Sequence, residues 1–208
     1  MRIFACMASS LDGKIGPANV DQFVSITSRY DMEHLKSLRD DADGILFGAE
    51  TFRTWPKVHQ GHDQTKKQHH FMMSRRLNFD VNTPLFQAFN TPLTIFTPTK
   101  SSDHNFPDQV EVVNTPAGAK QLPFIVKYIG ALGCKSLLIE GGGRILHQFI
   151  ETQLLQELYL TIAPKIIGDS KAPGLLGNQI ILNSPEIKVF SSRQVDDEVY
   201  LHLGLSYS

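Results

Sequence analysis

Cysteine, net charge and long apolar runs are all scarce in this chain, and each scarcity removes a class of function. Only Cys6 and Cys134 occur among 208 residues, each inside or beside an apolar segment and neither in a Cys-x-x-Cys pair. They do not make a disulfide framework or a zinc ribbon, so two reduced, buried thiols are expected. The formal net charge is −1, which gives no global bias toward nucleic acid or an anionic membrane, and no groove-reading motif is present. The opening "MRIFACMASSLDGKIG" has an apolar run too short for a membrane span and lacks a small-residue cleavage site after a basic leader, so a cytoplasmic protein is expected. Repeats and low-complexity tracts are also missing, and 208 residues with 41% hydrophobic content are read as one domain spanning residues 1–208.

What is present is an alternation of short apolar runs with helical periodicity, the pattern of an α/β sheet flanked by helices. "RIFACMA" reads as the first strand. "SRYDMEHLKSLRDDA" spaces Met32, Leu35, Leu38 and Ala42 at helical intervals, with Ser28 and Asp31 placed as a capping box. "GILFG", Gly44 to Gly48, is a strand followed by the short helix "AETFRTW" ending before Pro56. Residues 57–68 are polar and read as a surface loop, while "HFMMS", "LTIFT" and "VEVV" read as strands. "LPFIVKYIGALG" is a helix with Pro123 near its start, Leu122, Ile125, Val126, Ile129 and Leu132 on one face, and Gly133 as its stop. "SLLIE" and "ELYLTIAPKIIG" are further strands, and "IKVFSSRQ" pairs with "EVYLHLGLSYS" across "VDD" as a closing antiparallel hairpin. In that last strand Val199, Leu201, Leu203 and Leu205 alternate, which predicts one buried face.

Between "SLLIE" and a helix-like stretch stand Gly141, Gly142 and Gly143. A strand that ends in bare backbone and opens a helix at Arg144 brings several N–H groups to one point, a geometry suited to phosphate. A tight turn with close packing accounts for the glycines equally well. Two phosphate motifs are excluded: no Lys-Ser/Thr follows as in a P-loop, and Leu146 stands where a Rossmann fingerprint needs its third glycine.

The stretch "GGGRILHQF", Gly141 to Phe149, resembles the turn and helix that hold the NADPH pyrophosphate in the dihydrofolate-reductase-like fold. "SLDGKI", "HLKSLRDDADGILFGAET" and "LLIEGGGRIL" occur in the matching order and are similar to the reductase domain of bacterial riboflavin biosynthesis, the RibD C-terminal domain family. The resemblance covers most of the chain. It implies a mostly parallel central sheet flanked by helices with a C-terminal antiparallel hairpin, and a homodimer. It also implies reduction of 5-amino-6-(5-phosphoribosylamino)uracil to its ribitylamino product with NADPH. The deaminase often fused to this domain needs a His-x-Glu and Pro-Cys-x-x-Cys signature that Cys6 and Cys134 do not supply. One departure stands out: the family's "TVLxDDPxLxxR" is replaced by "TFRTWPKVHQGHD", where the family shapes the ribose-phosphate end of its substrate site.

The resemblance assigns the pyrophosphate to the backbone of Gly141, Gly142, Gly143, Arg144 and Ile145, with Gly48 and Thr51 facing it. Ala49 stands where dihydrofolate reductases often carry arginine, which shifts the 2′-phosphate to Ser74, Arg75 and Arg76; a solvated basic turn is the plainer account of that segment. Ser10, Asp12 and Lys14 are the substrate candidates, and Asp12 or Lys14 is the candidate for stabilising charge or relaying a proton at an imine. An ordinary Asp-Gly turn with Lys14 in solvent is the competing account. Glu140, at a strand's carboxyl end, is expected to accept a hydrogen bond from cofactor amide or substrate, or to accept N–H groups within the turn.

Asp31 is read as a helix cap rather than as an anchor for a pterin. His59, His62, His69 and His70 are read as scattered loop histidines, with no metal. Two other functions stay open: a reductase of the same fold acting on a pterin, folate or other small carbonyl or imine compound, and an NADPH-binding module without turnover.

Overall fold

The computed structural model describes residues 1–18, 24–88, 90–100 and 106–207. Nine strands form one sheet: β1 (Arg2–Ser10), β2 (Gly44–Gly48), β3 (His69–Met73), β4 (Leu93–Thr97), β5 (Val110–Asn114), β6 (Ser136–Ile139), β7 (Glu157–Ala163), β8 (Glu186–Val195) and β9 (Glu198–Ser206). Their spatial order is β5-β4-β3-β2-β6-β1-β7-β9-β8. All neighbours from β5 to β7 run parallel, and only β9 is antiparallel to its two partners. This is the mostly parallel sheet with a closing hairpin that the sequence pattern led us to expect.

Among the described residues, four α-helices cover the sheet: α1 (Arg29–Asp40), α2 (Ala49–Thr54), α3 (Gln121–Ala131) and α4 (Gly143–Glu151). Because successive strand residues point to opposite faces, β1 divides its apolar side chains. Ile3, Ala5 and Met7 join the cluster under α3 and α4, while Phe4 joins Leu38 and Ala42 under α1. A third cluster packs Phe52 of α2 with Ile45, Phe47, Met72 and Phe86. No helix among the described residues is long and apolar enough to cross a membrane.

Several local readings change. Ser28 caps α1 by accepting from the Tyr30 N–H, but the reciprocal half of the box is missing. The Ser28 N–H donates to Glu198 instead, and Asp31 accepts from Thr27 and Thr161. A cross-sheet partner outcompetes the local one. The "ELYLTIAPKIIG" strand stops at Ala163, before Pro164, which has no N–H for a ladder. Alternation in β9 is broken: Tyr200 is buried and Val199 exposed, because the Tyr200 hydroxyl donates to Glu198 below α1. The pairing slips between Val189 and Ser191 in β8, and the Phe190 ring occupies the space where a Gly204 side chain would stand. Leu132 lies past the end of α3 and is exposed. Cys6 and Cys134 are free thiols in partly buried residues, and burial pushes both up.

The largest departure is in residues 57–68. His59 and Gln68 are buried, and so is His70 at the start of β3. The loop is tied to the last turn of α1: Arg39 Nη1 donates to the Gln60 carbonyl, and Asp40 accepts from the His62 and Asp63 N–H groups. Gly61 sits so close to Asp40 that a Cβ would lie 1.9 Å from its Oδ1. His70 Nδ1 lies 3.1 Å from the Gln68 carbonyl, and its Nε2 accepts from the His59 N–H at 3.2 Å. Burial, with His59 alongside, lowers its pKa from 6.5 to about 3.

A group depressed in the folded state is charged first in the unfolded chain, so stability falls as pH drops through the interval between the two values. Equilibrium urea unfolding is therefore expected to show stability declining from pH 6.5 toward pH 3, with His70 contributing a slope of up to about 1.4 kcal/mol per pH unit. His34 and His69 are depressed in the same direction. In His70→Gln the slope should flatten by that one-proton share, whatever its stability at neutral pH; an unchanged slope contradicts a buried neutral His70.

Candidate functional site

The parallel strands all end at one edge. Thr97, Met73, Gly48, Ile139, Ser10 and Ala163 close β4, β3, β2, β6, β1 and β7, which are neighbours in that order. The Ser10–Lys14, Gly48–Thr51, Ser74–Arg76 and Gly141–Arg144 segments all leave the sheet there, where open α/β sheets present ligands.

At the centre of this edge the three glycines are bare for different reasons. Gly141 has φ of +56°, which side-chain-bearing residues seldom adopt, and the Gly141–Gly142 peptide is cis. A Cβ on Gly143 would lie 2.3 Å from the Gly177 nitrogen and 2.7 Å from the Gly174 oxygen, so close packing explains this glycine. Gly142 has φ of −81°, open to any residue. A Cβ there would meet nothing nearer than Thr51 Oγ1 at 3.8 Å. Packing and backbone conformation account for its neighbours, whereas Gly142 has room for a Cβ against Thr51.

Two helices begin at this point. Gly142 caps α4 and Gly48 caps α2, and neither start has a side-chain cap, whereas Ser28 caps α1. A Cβ on Gly48 would lie 3.2 Å from Ile145 Cγ1, so the two starts touch. The first N–H groups of a helix have no partner within it, and these point toward negative charge. The Ile145 N–H is an exception, since it closes onto the Gly142 carbonyl at 2.9 Å. Its place among the main-chain donors is therefore corrected: Ile145 contributes its side chain, packed on Gly48.

Glu140 also differs from expectation. Its carboxylate is 7% exposed and accepts from Arg39 Nε at 2.6 Å, Arg39 Nη2 at 2.7 Å and His59 Nδ1 at 2.6 Å. Both oxygens are taken by these two side chains rather than by N–H groups of the turn. Burial opposes its charge, but Arg39 and His59 outweigh burial and hold the carboxyl far below the usual range. Sequence reasoning missed Arg39 and His59. Arg39 lies beside Leu38 on the apolar side of α1, a cation where the helical pattern expects a core residue, and that was the available signal. Nothing in the sequence near His59 marks it as buried.

Ser10 is buried, and its hydroxyl donates to Asp12 Oδ1 at 2.6 Å while accepting from the Lys14 N–H at 2.9 Å. Asp12 further accepts from the N–H groups of Ile167 and Gly168 at 3.0 and 2.8 Å. The Ser10 hydroxyl and then these two N–H groups hold its carboxyl well below the usual range. Asp12 thus brackets two loops as an ionised carboxylate, so of the two roles expected of it, stabilising charge fits this setting better than relaying a proton. Lys14 Nζ donates to the Ala172 carbonyl at 3.2 Å, and its backbone bridges to Gly174. The segment that packs on Gly143 thus also carries Lys14.

The Ser74 hydroxyl donates to the Arg76 carbonyl at 2.5 Å, and Thr99 Oγ1 donates to the Arg75 carbonyl. Ser74 is buried while Arg75 and Arg76 are exposed one strand away from Gly48. Asp31 lies at the other flank, half-buried, where burial raises its carboxyl despite Thr161 and Thr27. No group of three or more potential metal ligands occurs among the described residues.

The family described as RibD C-terminal domain matches residues 2–201. The chain is 24% identical over 179 residues to a 2,5-diamino-6-ribosylamino-4(3H)-pyrimidinone 5′-phosphate reductase of Aquifex aeolicus, covering 82% of this chain and 80% of that protein. It is 25% identical over 214 residues to riboflavin biosynthesis protein RibD of Escherichia coli, covering 95% of this chain but 58% of the relative. The solved structure of a pyrimidine reductase-like protein from Corynebacterium diphtheriae superimposes with a TM-score of 0.81 at 21% identity, covering 100% of this chain and 92% of that one.

Gly143→Ala forces backbone against backbone at the Gly174–Gly177 turn. It is expected to destabilise by about 1–3 kcal/mol, a fall in Tm of roughly 2–4 °C per kcal/mol, measured by calorimetry. An unchanged Tm contradicts this packing.

Proposed function

Because the chain belongs to the RibD C-terminal domain family, we propose that it reduces 5-amino-6-(5-phosphoribosylamino)uracil to the ribitylamino product of riboflavin biosynthesis, using NADPH. Support for the substrate class comes from the names of its relatives, among them the phosphate reductase of Aquifex aeolicus. The observation that carries the cofactor is that neither packing nor backbone conformation reserves Gly142 for glycine, although it stands against Thr51 between the uncapped starts of α2 and α4. A side chain at Gly142 would lie against Thr51. These residues fit a diphosphate: Gly141, Gly142, Gly143 and Arg144 line one side with main chain, while Gly48 and Thr51 line the other. Ser74 fixes the turn that offers Arg75 and Arg76 to a 2′-phosphate.

Bound NADPH supplies the hydride. Reduction adds it to the imine carbon of the open-chain ribosylamine and adds a proton to the nitrogen, which gives the ribitylamine. Lys14, an ammonium carried by a segment pinned to residues 173–175, is the group assigned to stabilising that charge or relaying the proton. The Ser10 hydroxyl, bonded to Asp12, holds its backbone in place.

The reading extends to one reductase domain over residues 1–208, a cytoplasmic location and a homodimer. The exposed Ile187, Val189 and Phe190 of β8, the outermost strand, support the dimer. A second reading, reduction of a pterin or folate, draws on Asp31, whose half-buried carboxylate bonds Thr161.

Following the absorbance of NADPH with each substrate tests these readings. Oxidation with the phosphoribosylaminouracil supports the proposal, and oxidation with a pterin or folate alone supports the second reading. Binding without oxidation by any of them indicates a nucleotide-binding module. Gly142→Ala should keep the wild-type Tm but weaken NADPH binding at least about tenfold, or about 1.4 kcal/mol; unchanged affinity contradicts the cradle. Lys14→Met should lower kcat by about 10²-fold or more while leaving the Kd for NADPH alone, and unaltered turnover rejects its role.

A further inference from the structure

We propose that His59 is a positioning residue for the glycine turn: by holding Glu140 from the loop side, it couples the seating of residues 59–68 on α1 to the cofactor-binding main chain. This rests on the cofactor reading above.

Glu140 immediately precedes Gly141, and it is fixed on three sides. Its N–H donates to the Leu46 carbonyl of β2 at 2.9 Å. Arg39 grips the carboxylate from α1 with two parallel bonds, and His59 reaches it from the loop. A carboxylate only accepts, so the 2.6 Å approach places the proton on His59 Nδ1. The ring stacks on Phe47 at 4.5 Å and 2°, which sets its plane. Its other nitrogen, Nε2, is buried with no hydrogen-bond partner among the described residues. A buried polar atom left unsatisfied is costly, so the ring's place is explained by the bond at Nδ1 and by stacking, not by solvation of the whole imidazole.

His59 is also the loop's point of entry into the core. Its N–H is held by His70, the next residue's carbonyl by Arg39, and the residues beyond by Asp40. Arg39 therefore bonds both Glu140 and the loop, and His59 closes the circuit. Loss of the His59 bond leaves Oε2 with a single donor and frees the Arg39–Glu140 pair to move toward the vacated side. That movement would displace the residue from which Gly141 and Gly142 depart.

The test compares NADPH Kd by calorimetry, Tm, and the split between KM and kcat for wild type, His59→Leu, His59→Asn and His59→Gln. Asparagine can place an amide donor where Nδ1 stands, whereas glutamine places its donor nearer Nε2. We expect His59→Leu and His59→Gln to weaken NADPH binding about tenfold and raise its KM alike, with kcat at saturation within about twofold. His59→Asn should restore affinity to within about threefold. Should His59→Leu fail to fold, the asparagine and glutamine pair carries the comparison. Lower Tm with unchanged Kd in every folded variant overturns the proposal and leaves His59 a purely structural residue. Failure of the wild type to bind NADPH overturns the cofactor reading itself, a result separable from the others.

Discussion

The site depends on a buried carboxylate at the end of β6. Glu140 is nearly enclosed, yet it stays ionised because Arg39 and His59 supply three donors between them. An ion in a low-dielectric interior is tolerated only when so satisfied, and removing one partner of such a pair typically costs about 3–5 kcal/mol. The arrangement joins three elements far apart in the chain, α1, the loop after α2, and β6, at the residue before the glycines. The turn is therefore fixed both by its own glycines, at Gly141 through its positive φ and at Gly143 through close packing, and by a charged residue held on three sides immediately before it.

Around that anchor the carboxyl edge of the sheet divides its tasks. The β2 and β6 ends bring two helix starts together over Gly142 and Thr51, while the β1 end presents Lys14 on a segment bracketed by Asp12. The Gly174–Gly177 turn connects the two halves, since it packs on Gly143 and is bonded to the Gly13–Ile15 backbone. Geometry at the β1 end is thus tied mechanically to the start of α4. Asp12 illustrates why residue type alone misleads: a carboxylate in a turn suggests a free acid, yet three donors from Ser10, Ile167 and Gly168 surround it.

Much of the architecture was legible because its signals are local. The Gly44–Gly48 and Leu93–Thr97 strands have the boundaries the sequence pattern sets, and glycine and proline mark the ends of α3 and β7. The glycine turn was legible too as a strand end that opens a helix, although the reason for glycine differs among its three members. What escaped was whatever depends on closure in space. The carboxylate of Glu140 suggested a ligand contact because Arg39 and His59 lie 101 and 81 residues away. Asp31 fits a capping box by spacing, but Thr161 across the sheet competes for it. A polar loop of scattered histidines gave no sign that His59 enters the core, since burial there is set by the docking of Arg39 and Asp40. Tyr200 broke the expected alternation of β9 for a similar reason: its hydroxyl donates to Glu198, two residues away, which is itself held by Ser28 at the start of α1.

The most direct measurement is a crystal structure of the chain with NADPH. The account places the diphosphate against the main chain of Gly142 to Arg144, opposite Gly48 and Thr51, with Glu140 still bonded to Arg39 and His59. A diphosphate bound elsewhere, or the space beside Gly142 filled by the protein's own side chains, would contradict it.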